Sequence, residues 1–270
     1  MRRVILFFSL LLATGVSAQH FQISSPDGRI QMEVCNEKTL SYSVVYKNKV
    51  LVADSPLGFE FKDEKPMQGN FALLNVPQAE ARSESWIPVV KNKHEEVQLH
   101  WNEMTFNLEE KEGNRRRMDF VVRVYDEGVV RYQLYGGRKI GNRQITKELT
   151  GFSLPADATG WAAKYKRNYT SSQESEFVKT TLNYLPADTV AGLPFLVEVD
   201  KQNYVAITEA CIDDYPGFYI GKGNSAQEGN QVLATRLSPL PGEKEDGVKA
   251  RFFEKMATPW RVILVGDHPG

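Results

Sequence analysis

The feature that most constrains this chain is a period of two. Apolar and polar residues alternate in segment after segment, and no stretch sustains the 3.6-residue period of an amphipathic helix. In "LSYSVVYKNKVLV" two such runs flank Asn48. In "MDFVVRVYDEGVVRYQL", Phe120, Val122 and Val124 precede Asp126-Glu127-Gly128, and Val130, Tyr132 and Leu134 follow. Gly128 suits the positive φ that closes a three-residue hairpin loop. "FLVEVDKQNYVAITEA" pairs two further runs around Asp200 to Asn203. In "EVQLHWNEMTFNLEE" the apolar set passes from Val97, Leu99 and Trp101 to Met104, Phe106 and Leu108, which predicts a hairpin turning at Asn102-Glu103. Turn signals such as Pro26-Asp27-Gly28 and Pro241-Gly242 interrupt the strands at intervals typical of sandwiches. The expected fold is all-β and antiparallel, with residues 19–270 forming one sandwich domain, since no repeat or low-complexity linker divides them. One short helical piece is expected, near Ser171 to Leu182.

The N-terminus is organised differently. Arg2 and Arg3 precede an apolar stretch from Val4 to Ala13, and Val16-Ser17-Ala18 places small residues where a signal peptidase cuts. Residues 1–18 are therefore expected to be a cleaved signal peptide, and the protein periplasmic or secreted. That run is short for a bilayer, and no later segment approaches the roughly 20 apolar residues a membrane helix needs, so no membrane span is expected. The 270 residues carry 33 Lys+Arg against 34 Asp+Glu, a net charge of -1, which leaves no global basic field for nucleic acid. The local run Asn114 to Met118, "NRRRM", reads as a solvated turn. The closing segment "ATPWRVILVGDHPG" ends on an apolar strand with no polar tail, and the expectation is that a further domain follows it.

Two cysteines, Cys35 and Cys211, cannot make a disulfide framework; two buried free thiols are the default and a single bridge the alternative. Asn168-Tyr169-Thr170 fits a glycosylation sequon, to which a signal of bacterial appearance gives no weight.

For chemistry, Glu209 stands out. Val205, Ile207 and Glu209 share one face of "YVAITEA", so a carboxylate follows the parity of the buried side chains, where an unpaired charge costs several kcal/mol. Either a basic side chain meets it in a structural ion pair, or it reaches from the strand end as an oxygen ligand for a hard cation such as calcium. Asp213 and Asp214 follow in a turn before Tyr215-Pro216-Gly217 and read first as turn formers. His20, His94, His100 and His268 are too scattered for a zinc motif, and neither a nucleophile elbow nor a phosphate-binding glycine loop is present. Trp86, Trp101, Trp161 and Trp260 read as core or cross-strand partners before they read as sugar platforms.

Five segments in order, "SPDGRIQMEV", "YSVVYKNKVLVADSPLGFEF", "FVVRVYDEGVVRYQL", "ITEACIDDYPGFYI" and "ATPWRVILVGDHPG", together make the chain resemble the N-terminal domain of glycoside hydrolase family 97. That resemblance implies a large β-super-sandwich of galactose-mutarotase-like type. It also implies that the complete enzyme is an α-glucosidase or α-galactosidase acting on an oligosaccharide through a (β/α)8 catalytic barrel that this chain lacks, so no catalytic residue is expected here. In the family the sandwich supplies a glutamate to a calcium ion beside the substrate, and Glu209 is the matching position. Sugar identity and the choice between inversion and retention belong to the barrel. Two other functions remain: a stand-alone carbohydrate-binding or interaction sandwich, and a mutarotase-like epimerase, which needs a histidine and a carboxylate in one cleft.

Overall fold

Alternation this regular demands that each strand have one covered face, and a sheet folded onto itself in two layers supplies it. The computed structural model describes residues 19–269 apart from 92, 137–139, 167, 168, 170–172, 224–228 and 254. The leader and the sequon asparagine and threonine lie outside the described residues.

The chain opens on a meander of β1 (Gln19–Ser24), β2 (Ile30–Asn36), β3 (Leu40–Tyr46) and β4 (Lys49–Pro56). Lys47 and Asn48 both take positive φ, 47° and 63°, the conformation of a two-residue turn whose twist matches its strands. Short β5 (Phe59–Phe61) and β6 (Phe71–Leu73) precede β7 (Glu80–Trp86) and the long β8 (Val97–Glu110). β9 (Arg117–Tyr125) and β10 (Val129–Gly136) form the expected hairpin, with Gly128 at φ 85°. A Cβ there would stand 2.5 Å from the Val265 carbonyl oxygen, so the position needs glycine twice over. Next come β11 (Arg143–Glu148), β12 (Gly151–Pro155), β13 (Thr159–Lys166), β14 (Phe177–Thr181) and β15 (Thr189–Ala191). The hairpin β16 (Phe195–Asp200) and β17 (Asn203–Ala210) is followed by β18 (Phe218–Lys222), β19 (Asn230–Leu237), β20 (Ala250–Phe252), β21 (Met256–Ala257) and β22 (Trp260–Gly266).

All the named strand pairs are antiparallel. One layer runs β1-β2-β3-β4-β12-β19-β18-β15, and the other runs β8-β9-β10-β22-β17-β16-β13-β14, with β6 and β7 on the outer side of β8. β13 belongs to both: Thr159 to Trp161 pair with β16, and Lys164 to Lys166 pair with β15. The layers meet through aromatic contacts, Phe21 edge-on to Phe106 at 5.3 Å and Tyr42 against Tyr132 at 5.0 Å, within one continuous core. A separate three-stranded sheet, β5-β11-β20, carries Glu148 at its rim. The fold is the expected large antiparallel β-super-sandwich.

Four expectations are corrected. No turn interrupts β8 at Asn102-Glu103; its pairing with β9 runs unbroken from Trp101 to Glu109. The parity change arises because the strand's two faces are covered in turn. Met104, Phe106 and Leu108 enter the core, whereas Trp101 stacks on Tyr125 on the opposite face, under the Arg123 guanidinium. No helix forms near Ser171 to Leu182: among the described residues the segment holds β14, whose β-branched "FVKTT" pairs with β13, and a single 3-10 turn begins at Leu182. The "NRRRM" run is only partly solvated, since Arg116 is buried and paired with Glu110 and Glu64. Both cysteines are free as expected, but neither is buried: Cys35 is half-buried and Cys211 exposed.

Candidate functional site

β17 pairs with β22 in a register that sets Glu209 directly opposite Arg261. Both continue the inward face of their strands, after Val205 and Ile207 on one and before Ile263 and Val265 on the other. Arg261 Nη1 donates to Glu209 Oε2 at 2.6 Å, and the Phe218 backbone N–H donates to Glu209 Oε1 at 3.2 Å. Gly217 lies against that oxygen; a Cβ there would stand 3.2 Å from Oε1.

The guanidinium is shared. Its Nε donates to Glu148 Oε1 at 2.9 Å and its Nη2 to Glu148 Oε2 at 2.5 Å, a two-pronged pair between side chains 1% and 0% exposed. Tyr215 adds a hydroxyl donated to Glu148 Oε2 at 2.9 Å. The ring of Phe218 lies 4.3 Å beneath the guanidinium carbon. Three distant segments thus converge, Glu148 from the end of β11, Glu209 from β17 and Arg261 from β22, while the loop between β17 and β18 closes over them.

The two carboxylates respond oppositely. Burial alone would raise Glu148, but the charge and hydrogen bonds of Arg261, helped by Tyr215, hold it below its ordinary 4.5. For Glu209 burial wins over the Arg261 charge and the Phe218 amide, and its carboxyl is raised. Burial and the neighbouring Glu148 charge push the Tyr215 hydroxyl well above its usual value. One guanidinium against two carboxylates leaves the cluster a surplus negative charge, and Glu209, at the rim with 9% side-chain exposure, is the less well compensated of the two.

Asp213 and Asp214 are exposed in the turn, Asp214 at φ 47°, and do not gather with Glu209 into a set of donors close enough to share an ion among the described residues. Of the tryptophans, Trp101 and Trp260 are buried around Arg123, Trp161 lies under Lys179, and Trp86 is exposed. Glu148, Tyr215 and Arg261 were not singled out from the sequence. Arg261 carried the same signal as Glu209, a charge on the apolar parity of "WRVILV".

Residues 23–270 match the family described as glycosyl-hydrolase 97 N-terminal. The chain belongs to that family. Its glycosyl-hydrolase 97 N-terminal sandwich is 24% identical over 284 residues to a retaining alpha-galactosidase of Bacteroides thetaiotaomicron, covering 96% of this chain and 41% of that protein. It is 28% identical over 251 residues to a probable retaining alpha-galactosidase of Streptomyces bingchenggensis, covering 90% and 34%. A solved structure of a glycoside hydrolase family 97 enzyme from Pseudoalteromonas sp. strain K8, in complex with acarbose, superposes with a TM-score of 0.75 at 25% identity, over 92% of this chain and 36% of that one. This chain therefore spans about two-fifths or less of the length of each of these proteins.

Proposed function

We propose that this glycoside hydrolase 97 N-terminal sandwich completes the active site of a secreted, calcium-dependent α-glycosidase of the α-galactosidase or α-glucosidase class, packing on a (β/α)8 catalytic barrel and lending Glu209 to the ion. The observation that carries this reading is the under-compensated carboxylate at the rim, which has to share the Arg261 guanidinium with the buried Glu148. Glu209 stands at the end of its strand with a raised carboxyl, in a cluster whose net charge is negative. A hard cation brought up by a neighbouring domain removes that penalty.

The donor set fits calcium only as a partial one. An ionised carboxylate offers about four acceptor sites, and Glu209 uses two of them, on Arg261 and Phe218. Calcium takes roughly six to eight oxygens, so Glu209 can contribute to a site and cannot constitute one. When bound, the ion supplies orientation and polarisation of sugar oxygens. This chain's own part is to hold the Glu209 carboxylate in one place. Arg261 anchors one oxygen and the Phe218 N–H the other, and Glu148 with Tyr215 fixes Arg261 in turn. Ile212, in the loop that follows Glu209, and Phe253, next in the chain to the Phe252 ring that stacks on Tyr215 at 6.1 Å, are exposed and offer apolar surface for the barrel to cover.

The test is Glu209→Ala in the complete protein that contains this sandwich, assayed on nitrophenyl α-galactoside and α-glucoside across a calcium titration. The variant is expected to keep its fold, need at least about tenfold more calcium and turn over more slowly. Unchanged calcium dependence removes Glu209 from the ion. The sandwich alone is expected to show no hydrolysis and only weak calcium binding; tight binding by it alone means the ligand set is misassigned.

A further inference from the structure

A second group of metal-ligating side chains lies at the opposite end of the sequence from Arg261. On the edge strand β1, His20 stands directly across from Cys35 of β2, on the face turned away from the core, since Ile23, Met32 and Val34 take the inner positions. The His20 Nε2 is 3.3 Å from Glu37 Oε1 and 3.8 Å from Cys35 Sγ, and the three donor atoms all lie within 4.8 Å of one another. A tetrahedral zinc ion with bonds of about 2.0 Å to nitrogen and oxygen and about 2.3 Å to sulfur sets its ligand atoms roughly 3.3–3.6 Å apart. The two separations from His20 match that scale with little movement.

The surroundings favour a cation. The three side chains share a cleft of about 600 Å³ with Glu33 and Asp54, against a single lysine, Lys38. One imidazole, one thiol and one carboxylate form the mixed nitrogen, sulfur and oxygen set that suits a borderline-soft first-row ion and does not suit calcium or magnesium. His20 lies in β1, just before residues 23–270 that match the family.

We propose that His20, Cys35 and Glu37 bind a divalent cation of the zinc type, with the fourth position left to water or to a carboxylate of the same cleft. Bound there, the ion fastens the start of β1 to the end of β2. Among the described residues β1 is paired on one side only, with β2, and the ion gives it a tether near Gln19.

The experiment uses the full chain, reduced and freed of metal, titrated with Co2+ as a spectroscopic stand-in and then with Zn2+. The expected result is a thiolate-to-cobalt charge-transfer band saturating at one equivalent, displaced by Zn2+ and untouched by excess Ca2+. Cys35→Ser should abolish the band and His20→Ala or Glu37→Gln should weaken binding at least about tenfold, with Cys211→Ser unchanged. Zn2+ should also raise the Tm by several degrees in the parent and not in Cys35→Ser. These side chains are exposed or half-buried, so the variants should retain the parent's far-ultraviolet circular dichroism. No band and no calorimetric heat with Zn2+ would overturn the proposal, as would a band that survives Cys35→Ser or disappears in Cys211→Ser.

Discussion

Two Glu–Arg clusters in this sandwich are made of the same side chains and differ in almost everything else. At the β8–β9 connection, Glu109 is clasped by Arg115 and Arg117, and Arg116 pairs with Glu110 and Glu64, which also meets Arg143. Four guanidinium groups there face three carboxylates, and Arg115 and Arg117 are 58% and 45% exposed. Around Arg261 the balance is reversed, with two carboxylates on one guanidinium that is 1% exposed. Solvent reaches the outer guanidinium groups of the first cluster, Arg115 and Arg117; Glu109 and Arg116 are themselves buried, at 3% and 4% side-chain exposure, but Glu109 keeps a second guanidinium when either of its two is lost. The second has no water to fall back on, so its pairing is obligatory and its surplus charge is felt.

The largest expected effect is that of Arg261→Met, which strands Glu148 in the core and should cost about 3–5 kcal/mol in urea unfolding. A loss under about 1 kcal/mol, the range of a screened surface pair, would erase the distinction between the clusters. Next comes Glu148→Gln, expected to cost about 2 kcal/mol at pH 7 through weakened charge-assisted hydrogen bonds. Because the folded-state carboxyl of Glu148 lies below its ordinary 4.5, its contribution is present above pH 4.5 and disappears as pH falls through the folded value. The gap between parent and variant should therefore close in acid, and a gap constant from pH 7 to pH 3 would show that charge is not what Glu148 supplies. Glu209→Gln has the opposite sign. A raised carboxyl means the ionised form is disfavoured in the folded chain, so at pH 7 the variant should be level with the parent or up to about 1 kcal/mol more stable, the difference fading as pH drops towards 4.5. Smallest is Arg115→Ala, expected within about 0.5 kcal/mol by the same unfolding measurement. A larger loss would mean that Arg117 alone does not compensate the buried Glu109 carboxylate.

The contrast also marks what the sequence could reveal. The hairpins at Asn48, Gly128 and Asp200 to Asn203 are local, each set by adjacent alternation and turn chemistry, and they stand where alternation placed them. Alternation misled at Trp101 to Met104, where a strand covered on both faces imitates a turn. Glu209 was visible as an anomaly of parity, but the residues around it were not: Arg261 faces it through the pairing of β17 with β22, and Glu148 reaches Arg261 from a separate sheet, and no local pattern encodes either placement. The His20–Cys35 pairing was hidden for the same reason: fifteen positions separate the two residues, outside any short zinc motif, and a tight β1–β2 turn brings them face to face.

β13 gives its first half to one layer and its second half to the other. The sandwich is therefore a single seamed fabric, not two leaves pressed together: parting the layers means tearing that strand's ladder. Opening the sandwich along that seam costs the pairing of β13 with β15 or with β16 in addition to the contacts of the core.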